Sequence, residues 1–589
     1  MLHKINDRIK ILIILIFILC SILLVRLFYL QIIYHKHYYQ LEKQNYESLH
    51  IIPSTRGLIY DRHGNILADN KVVYNLVAIP NLMQNKHQEL LKLARLFSWS
   101  DKKTKNLFYH LTSNKQITLV LQLKQQQLNA FTHNSYKFPG ITLKPMLIRY
   151  YPYNEFTHII GYVARISKQQ KIAKTHNLFT GKTGIERAYN KLLTGSIGIQ
   201  KIQTNDKNLI QKQLIKRQVK NGNNLYLTID MKLQLKIVKI LGNKVGAVIV
   251  MKTDTGDILA MVSNPSFDAN IFTQISIPAS KYKKLLDQDN HPLYNRATTG
   301  LYAPGSTVKP FLALAALTDN IITANTTIYD PGYYHLPNNK HIYHDWKTRG
   351  HGQVNVTKAI IKSCDTFFYH LGYKMGITKI SQALKSFGFG KSVALDFYPL
   401  KTGIAPSPQW KQQTLHHPWY LGDTINTSIG QGYVTVTPLQ LAIATTTLSR
   451  KGSEIAPRLL LATQAANNKK IVYTKIKEAK QVFQSDAKNW QLIINAMDKV
   501  ISQHGTGWGF GIPKNYTAAG KTGTAQVSSI RFSENYTKVP YKLRPNSWII
   551  LFAPVKKPQI TIVVLVEHQP GGAAPIARKI ADYILSHQN

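Results

Sequence analysis

The strongest hydrophobic feature of the chain is an apolar run near its N-terminus. It covers residues 11–25 and continues past Arg26 to Tyr34, after a stretch of basic residues. At ~1.5 Å per residue the run to Tyr34 is about 36 Å long as a helix, enough for a ~30 Å hydrocarbon core if Arg26 extends to the interface. Bulky residues around Cys20 do not fit a cleavage site. We predict an uncleaved membrane anchor over 11–34, with residues 1–10 in the cytoplasm and the remainder outside. A buried core helix is the alternative.

The region after the anchor has short, mixed patterns. Residues 35–46 have helical spacing, and residues 54–68 alternate apolar and polar positions around a turn containing Gly64, which predicts a β-hairpin. Residues 85–135 read as mostly helical, whereas 150–163 and 181–198 read as short extended and turn pieces. We predict one pedestal domain over 35–224.

From residue 225 the pattern becomes that of a larger α+β domain, predicted over 225–589. Asp230 is placed to cap a helix after a short strand, and Thr437 to cap another whose first residue is proline. Antiparallel hairpins near both ends of the domain enclose a mostly helical middle, which indicates a sheet with a helical insert. The predicted hairpin strands are 245–252, 258–263, 548–553 and 559–566, followed by a last helix over 574–585.

The chain of 589 residues has a formal charge of +45, from 74 Lys and Arg against 29 Asp and Glu. Such a charge suits an acidic polymer or an anionic membrane as neighbour, although a general Lys-rich composition explains it equally well. The lysines are scattered rather than gathered in one stripe, and no nucleic-acid-binding motif is present. We therefore expect no nucleic acid partner.

A candidate nucleophile lies in the S-x-x-K motif from Ser306 to Lys309. Three residues apart on a helix, the two side chains share one face, so the amine can reach the hydroxyl. Lysine can take the serine proton only when it is uncharged, and a second cation nearby would favour that state. We expect Lys521, in the later K-T-G triplet, to be that cation. An S-x-x-K serine with a later K-T-G is typical of enzymes acylated on serine.

Of three K-T-G triplets, only the one at 521–523 suits a strand beside the nucleophile. The copy at 182–184 runs into a helix start, and the copy at 401–403 is followed by prolines unsuited to a central strand. Small residues around Gly523, with Thr522 and Thr524 beside it, would let a substrate backbone lie along an edge strand.

The residues alone leave the middle motif open to more than one interpretation. Ser363-Cys364-Asp365 lies between the other two motifs and opens a helical segment, so Ser363 is either a proton relay, a helix N-cap, or both. A literal S-x-N occurs at 533–535, but it follows Lys521 in a charged loop.

At these motifs the chain resembles the elongation-type class B penicillin-binding proteins. The resemblance covers nearly the whole chain, and its further motifs are those at 56–64, 184–187, 295–297, 304–310, 345–347 and 430–432. It implies a single-pass inner-membrane protein whose periplasmic D,D-transpeptidase domain, on an extended α/β pedestal, cross-links the stem peptides of peptidoglycan. It also implies a RodA-type glycosyltransferase and the MreC scaffold as partners. The chemistry would need no cofactor.

The resemblance implies a role for each motif residue. Ser306 would attack the penultimate D-Ala carbonyl, Lys309 would act as base, and Ser363 would help to protonate the leaving group. The K-T-G strand would hold the terminal carboxylate through Lys521, Thr522 and Thr524, and the backbone N–H groups of Ser306 and Thr524 would form the oxyanion hole. Asp365 stands where the family motif has asparagine.

Four residues near the middle motif have side chains that zinc accepts, and some members of this branch hold a structural metal at such a set. Carboxylate, imidazole and thiolate ligands would close a tetrahedral site with no position left for water. The alternative is a small buried thiol with solvated carboxylates. The four candidate ligands are Asp330, Asp345, His351 and Cys364.

Other functions use parts of the same machinery. A D,D-carboxypeptidase or β-lactamase would use water as acceptor but would not need so long a pedestal. A penicillin-sensing receptor would need further membrane spans or a signalling domain.

Overall fold

The structure is a computed structural model of the whole chain. It describes residues 2–586 apart from 112–115, 167–178, 205–209, 275–276, 278, 287–288, 339, 504 and 528–537. The S-x-N triplet at 533–535 lies outside the described residues.

A long helix, Leu2–Phe28, opens the chain and continues through a π-helical turn, Tyr29–Ile33. The segment Arg8–Ile33 contains an 18-residue window with a mean hydropathy of 3.2 and no buried residue, so it is a candidate membrane span. These bounds agree closely with the predicted anchor over 11–34. The polar helix His35–Tyr46 follows, as its spacing predicted.

The pedestal contains several short helices and strands. Asn85 and Ser100 accept hydrogen bonds from the first turns of two helices, which fixes where those helices begin. The helices are Lys86–Leu96, Asp101–His110, Gln125–Asn134, Thr157–Ile160, Gly184–Ala188 and Asn190–Thr194. The strands are Glu47–Ile52, Ile59–Tyr60, Ile66–Ala78, Ile117–Val120, Ile141–Tyr150, Val163–Arg165, Phe179–Gly181, Gly198–Thr204 and Ile210–Arg217.

Three predictions for the pedestal can be compared with these elements. The hairpin turning at Gly64 is confirmed, with φ of +86° at that glycine. The mostly helical pattern of 85–135 is also confirmed, by three helices with the short strand Ile117–Val120 between them. The third prediction was wrong in part, because residues 184–194 form two short helices rather than extended pieces. A helix of five residues is too short to show a period of its own.

A buried ion cluster joins distant parts of the pedestal. Glu186 is completely buried, and Arg149 Nε lies 2.6 Å from its Oε1. Arg56 forms a second ion pair with the same carboxylate. Burial alone would raise the pKa of Glu186, but the charges of Arg149 and Arg56 outweigh it, so the pKa is lowered.

The second domain is built on a five-stranded antiparallel sheet. Its strand order is Ile258–Asn264, Gly246–Lys252, Ile560–Val566, Asn546–Ala553, Ala519–Ala525. The two C-terminal strands are buried at every position, because helices Pro438–Ser449 and Ala573–Leu585 pack against them. Helix Met231–Leu241 packs against the edge strand Ile258–Asn264. The last strand in the order, Ala519–Ala525, carries the K-T-G triplet and forms one edge of the sheet.

The predicted caps and hairpins of this domain are present. Asp230 accepts from the N–H of Leu233 at 3.0 Å, and Thr437 accepts from that of Gln440 at 3.2 Å. The remaining helices are Ala279–Leu285, Lys309–Thr318, Val356–Lys362, Asp365–Ser386 with a break at Gly376, Pro408–Leu415, Leu421–Ser428 and Ala487–Ser502. The remaining strands are Thr327–Asp330, Tyr333–His335, Ile342–His344, Gly352–Asn355, Ser453–Glu454, Leu460–Gln464, Ile471–Tyr473 and Lys480–Gln481.

One strand at the predicted boundary belongs to both domains. Asn224–Leu227 pairs in parallel with Ile59–Tyr60 of the pedestal and antiparallel with Leu460–Gln464 of the second domain. The two parts therefore share a continuous sheet.

Candidate active site

The nucleophile candidate lies on a tight turn. Ser306 is half-buried in a 3₁₀ turn, Gly305–Val308, which continues into the helix Lys309–Thr318. Gly305 has a φ of +55°, and a Cβ there would lie 2.6 Å from the carbonyl oxygen of Thr524. Its N–H donates to the oxygen of Gly430 at 2.9 Å. Only glycine fits this contact, which holds Ser306 against the edge strand.

Lys309 is completely buried and its ammonium is surrounded by oxygen atoms. Its Nζ donates to Asp365 Oδ1 at 2.6 Å and to the carbonyl oxygen of Ser363 at 2.8 Å, and it lies 3.4 Å from Ser363 Oγ. Within the described part of the chain, Ser306 Oγ makes no hydrogen bond. The side chain of Lys309 is therefore bound to Asp365 and Ser363 rather than to the nucleophile.

Lys521 is also completely buried, on the edge strand. Its Nζ donates to the carbonyl oxygen of Thr522 at 2.8 Å and to Ser363 Oγ at 2.9 Å. Burial, and next the charge of Lys309, hold the pKa of Lys521 well below its usual range, against the opposing effect of Asp365.

The structure brings together the two lysines of the predicted set. We expected Lys521 to be the cation beside Lys309. Both lysines contact Ser363, and the charge of Lys309 lowers the pKa of Lys521. The structure also gives Lys309 an anionic partner, Asp365, which the sequence did not indicate.

Ser363 connects the two lysines. It ends the helix Val356–Lys362 in a left-handed conformation, with φ of +55°, and its Oγ is within hydrogen-bond reach of both ammonium groups. The helix that follows is capped by Cys364, whose Sγ accepts from the N–H of Phe367 at 3.4 Å. The N-cap reading of Ser363 was therefore wrong, and its hydroxyl proton is available to a ligand.

Asp365 begins the helix Asp365–Ser386. Burial raises the pKa of its carboxyl group, although the charge of Lys309 opposes the rise. Its backbone N–H donates to Asp345 Oδ2 at 2.6 Å. Asp365 is thus fixed from both sides as the partner of Lys309, and in this structure it is not placed on the strand side of the site.

The strand side of the site contains the rest of the K-T-G motif. Thr522 Oγ1 donates to Thr506 Oγ1 at 2.8 Å, and Gln431 Nε2 donates to the carbonyl oxygen of Thr524 at 3.3 Å. A Cβ on Gly523 would lie 2.8 Å from Thr307 Cγ2, so glycine is required for close packing there. The strand is paired on one side by Asn546–Ala553 and its other edge borders the nucleophile turn.

These groups line a cleft of about 750 Å³. Ser306, Ser363 and Thr524 lie in it together, as does Asp365. Sequence reasoning missed Thr506 and the 75% exposed Trp508, which line the cleft too and belong to none of the motifs. Gln431 was detectable, because it lies between the glycines of the motif at 430–432.

The other two K-T-G copies lie elsewhere. Gly184 begins a pedestal helix, and Gly403 has a φ of +64° in a turn beside Thr435. Neither copy lines the cleft.

The four candidate metal ligands meet beside the middle motif. Asp330, Asp345 and His351 offer ligand atoms within 4.8 Å of one another, and Cys364 Sγ lies 3.3 Å from Asp330 Oδ2. His351 Nε2 is buried without a hydrogen bond to any described residue, although it lies 3.4 Å from Asp345 Oδ1. Burial would raise the pKa of Asp345, but His351 and the backbone N–H groups around it lower it to about 2. This donor set and the orphaned imidazole nitrogen fit a zinc ion.

Two family models match the chain. The penicillin-binding protein dimerisation domain matches residues 51–227, and the penicillin binding protein transpeptidase domain matches residues 246–586. The peptidoglycan D,D-transpeptidase MrdA of Haemophilus influenzae is 37% identical, over 97% of this chain and 90% of that protein. The chain belongs to the elongation-type class B penicillin-binding proteins. The peptidoglycan D,D-transpeptidase MrdA of Escherichia coli K12 is 36% identical to this penicillin-binding protein, over 98% of this chain and 93% of the other.

Solved structures agree with this membership. A complex between the penicillin-binding protein PBP2 and MreC from Helicobacter pylori has a TM-score of 0.78 and 30% identity, over 92% of this chain and 99% of that one. Pseudomonas aeruginosa PBP2 in complex with WCK 5153 has a TM-score of 0.68 and 32% identity, over 92% of this chain and 97% of that one. This penicillin-binding protein is therefore a serine-type transpeptidase on a pedestal, as the resemblance implied. The carboxypeptidase, β-lactamase and receptor alternatives are not what these matches support.

Proposed function

We propose that this chain cross-links peptidoglycan stem peptides in the periplasm through an acyl-enzyme on Ser306. Ser306 Oγ attacks the penultimate D-Ala carbonyl, the C–N bond breaks, and D-Ala leaves with a proton on its amine. An amine of a neighbouring stem then attacks the ester, forms the new amide and returns a proton to Ser306 Oγ. The convergence of Lys309 and Lys521 on the single hydroxyl of Ser363, beside Ser306, carries this proposal.

Lys309 is the proposed base for Ser306. It follows the nucleophile by one helical turn, and hydrogen bonds of this kind often tighten only when substrate is bound. Its proton then reaches the leaving amine through Ser363, which contacts both lysines. Lys521 donates a hydrogen bond to the same hydroxyl, which keeps Ser363 oriented between the two lysines.

The edge strand is the proposed donor site. A peptide along Ala519–Ala525 would add a strand to the sheet, with its terminal carboxylate near Lys521, Thr522 and Thr524. The backbone N–H groups of Ser306 and Thr524 are the proposed oxyanion hole for the tetrahedral intermediate. Gly523 lets the strand lie against the nucleophile turn.

Intact-mass spectrometry with penicillin tests this proposal on the full chain. We expect one adduct on wild type and none on Ser306→Ala, with the adduct mapping to residue 306. The same preparations, given lipid-linked pentapeptide, separate cross-linking from hydrolysis. An adduct on another side chain, or trimmed stems without cross-links, contradicts the proposal.

We further propose that zinc is held by Asp330, Asp345, His351 and Cys364. When bound, it would supply a structural cross-link rather than an activated water, because all four positions are taken by side chains. Cys364 adjoins Ser363, so the ion would hold the middle motif in place. We expect about one zinc per chain by elemental analysis and its loss in Cys364→Ser, with a lower melting temperature. Absence of zinc from wild type contradicts this proposal.

Family membership also supports a proposal for the membrane topology, the domains and the partners of this chain. We propose a single pass through the inner membrane by Arg8–Ile33, a pedestal over 35–224 and a catalytic domain over 225–589. The Helicobacter pylori PBP2–MreC complex supports an MreC-type scaffold as partner. The family resemblance supports a RodA-type glycosyltransferase, which would supply the glycan strands being cross-linked.

A further inference from the structure

One wall of the active-site cleft is basic. Among the described residues that line it, Lys347, Lys358 and Lys362 carry positive charge. Asp365 is the sole acid in that described lining, and it is already paired with Lys309. A ligand in this part of the cleft therefore meets a positive field close to low-dielectric protein.

The two lysines of the helix Val356–Lys362 do not stand where they would stabilise that helix. Lys358 and Lys362 share one face of the helix Val356–Lys362, and like charges at this spacing destabilise a helix. Lys358 is in the first turn, where the helix dipole disfavours a cation. Its Nζ donates to the carbonyl oxygens of His351 and Gln353, both at 2.8 Å, which holds the ammonium on the cleft wall with an N–H to spare.

Lys347 is anchored by its backbone rather than by its side chain. Its backbone N–H donates to Asp345 Oδ1 at 3.0 Å, so the main chain is anchored. Its exposed side chain makes no hydrogen bond or ion pair with any residue that the structure describes. Neighbouring Trp346 donates its indole N–H to the carbonyl oxygen of Lys362 at 3.1 Å and exposes an apolar face to the same cleft.

The basic wall lies away from the donor strand. Thr506 stands between them, since its hydroxyl accepts from Thr522 of the strand and its N–H donates to the oxygen of Ile361 in the lysine-bearing helix, at 3.2 Å. A donor peptide along the strand leaves this wall to the second peptide of the reaction.

We propose that Lys347 and Lys358 bind a side-chain carboxylate of the acceptor stem, so that the enzyme selects an acidic acceptor peptide. This inference rests on the proposed function, because it concerns the acceptor of that acyl transfer. Trp346, on the same wall, packs against the aliphatic part of that acceptor side chain.

The test uses the purified full chain with a synthetic D-Ala-D-Ala donor and two amine acceptors, identical except that one has its side-chain carboxylate amidated. We expect wild type to use the acidic acceptor roughly five-fold better in kcat/KM, through KM, as suits a partly exposed ion pair. The preference should fall with added salt. Amidating the donor instead should leave it unchanged.

Variants locate the effect. Lys347→Gln should remove most of the preference, and Lys347→Arg should retain it. Lys374→Gln is the matched control, since Lys374 is exposed and does not line the cleft. For Lys358→Gln the melting temperature is measured as well as the acceptor preference, because Lys358 also donates to the carbonyl oxygen of His351 and its loss can destabilise that segment.

Three outcomes are separable. A wild type that forms no penicillin adduct contradicts the proposed function. A wild type that forms the adduct but uses acidic and amidated acceptors equally contradicts this inference alone. A preference that survives Lys347→Gln unchanged, or that follows the donor carboxylate, also overturns it.

Discussion

Lys521 Nζ lies 2.9 Å from Ser363 Oγ, and this bond joins the edge strand to the helical half of the cleft. The same oxygen lies 3.4 Å from Lys309 Nζ. Two buried lysines therefore share a single hydroxyl, and the carboxylate of Asp365 forms an ion pair with only one of them, Lys309. This asymmetry makes the two lysines chemically different.

Replacing Lys521 should lower the rate of acylation and remove a cost to stability that is largest at low pH. Its lowered pKa means that the folded protein binds this proton less tightly than the unfolded chain does. Charged Lys521 therefore costs stability at low pH, and the cost is relieved as pH rises from the lowered pKa toward ~10.4. In thermal melts, the melting temperature of wild type relative to that of Lys521→Gln should rise between pH 7 and 10. Penicillin acylation by the variant should fall by about 10²-fold. Parallel melting curves at all pH values would contradict the lowered pKa.

Asp365 should hold the side chain of Lys309 in its position beside the nucleophile turn. Asp365→Ala leaves a buried ammonium without its anion, which we expect to cost about 3–5 kcal/mol in urea unfolding. Asp365→Asn keeps a hydrogen-bond acceptor and should cost less. Because Asp365 fixes the position of the Lys309 ammonium, penicillin acylation should slow less in Asp365→Asn than in Asp365→Ala. Acylation rates equal to that of wild type in both variants would show that this ion pair does not position Lys309.

Trp548 should position the nucleophile turn. Its indole N–H donates to the oxygen of Ala303 at 3.1 Å, three residues before Ser306. Trp548→Phe keeps most of the ring but removes this bond, which we expect to cost about 1 kcal/mol of stability. Penicillin acylation should slow several-fold while noncovalent penicillin affinity changes little. Trp410→Phe, on a helix outside the cleft, is the control. Equal effects of the two variants on acylation would refute the positioning role.

Glu186 should make the pedestal sensitive to acid. Its lowered pKa means that the carboxylate stabilises the folded state above the ordinary pKa of ~4.3, and this contribution is lost as pH falls through the folded value. Glu186→Gln leaves two arginines without their anion and should cost about 3–5 kcal/mol at pH 7. The deficit relative to wild type should shrink on acidification, measured by denaturant unfolding of the full chain. A deficit that stays constant down to pH 3 would contradict the ion-pair explanation.

Local signals in the sequence predicted much of this fold. The cap at Asp230 and the hairpin at Gly64 depend on neighbours within a few residues, so pattern alone located them. The order of the three motifs likewise indicated one site. Strand Ile117–Val120 escaped notice because its pairing with Ile66–Ala78 comes from outside its own four residues.

The electrostatics of the site could not be predicted in the same way. The bond from Lys309 to Asp365 joins residues 56 positions apart, and which lysine receives the carboxylate depends on the helix direction after Ser363. Thr506 is missed for a similar reason, since its contact with Thr522 is made by chain segments that no local motif connects.

The strand Asn224–Leu227 limits how the catalytic half can be isolated. A truncation that begins at residue 225 would discard Ile59–Tyr60 and strip hydrogen bonds from one side of the first remaining strand. That newly bare β-edge would favour self-association in a soluble fragment. Fragments intended for inhibitor screening should therefore start before residue 59, even though every residue proposed for the chemistry lies beyond 300.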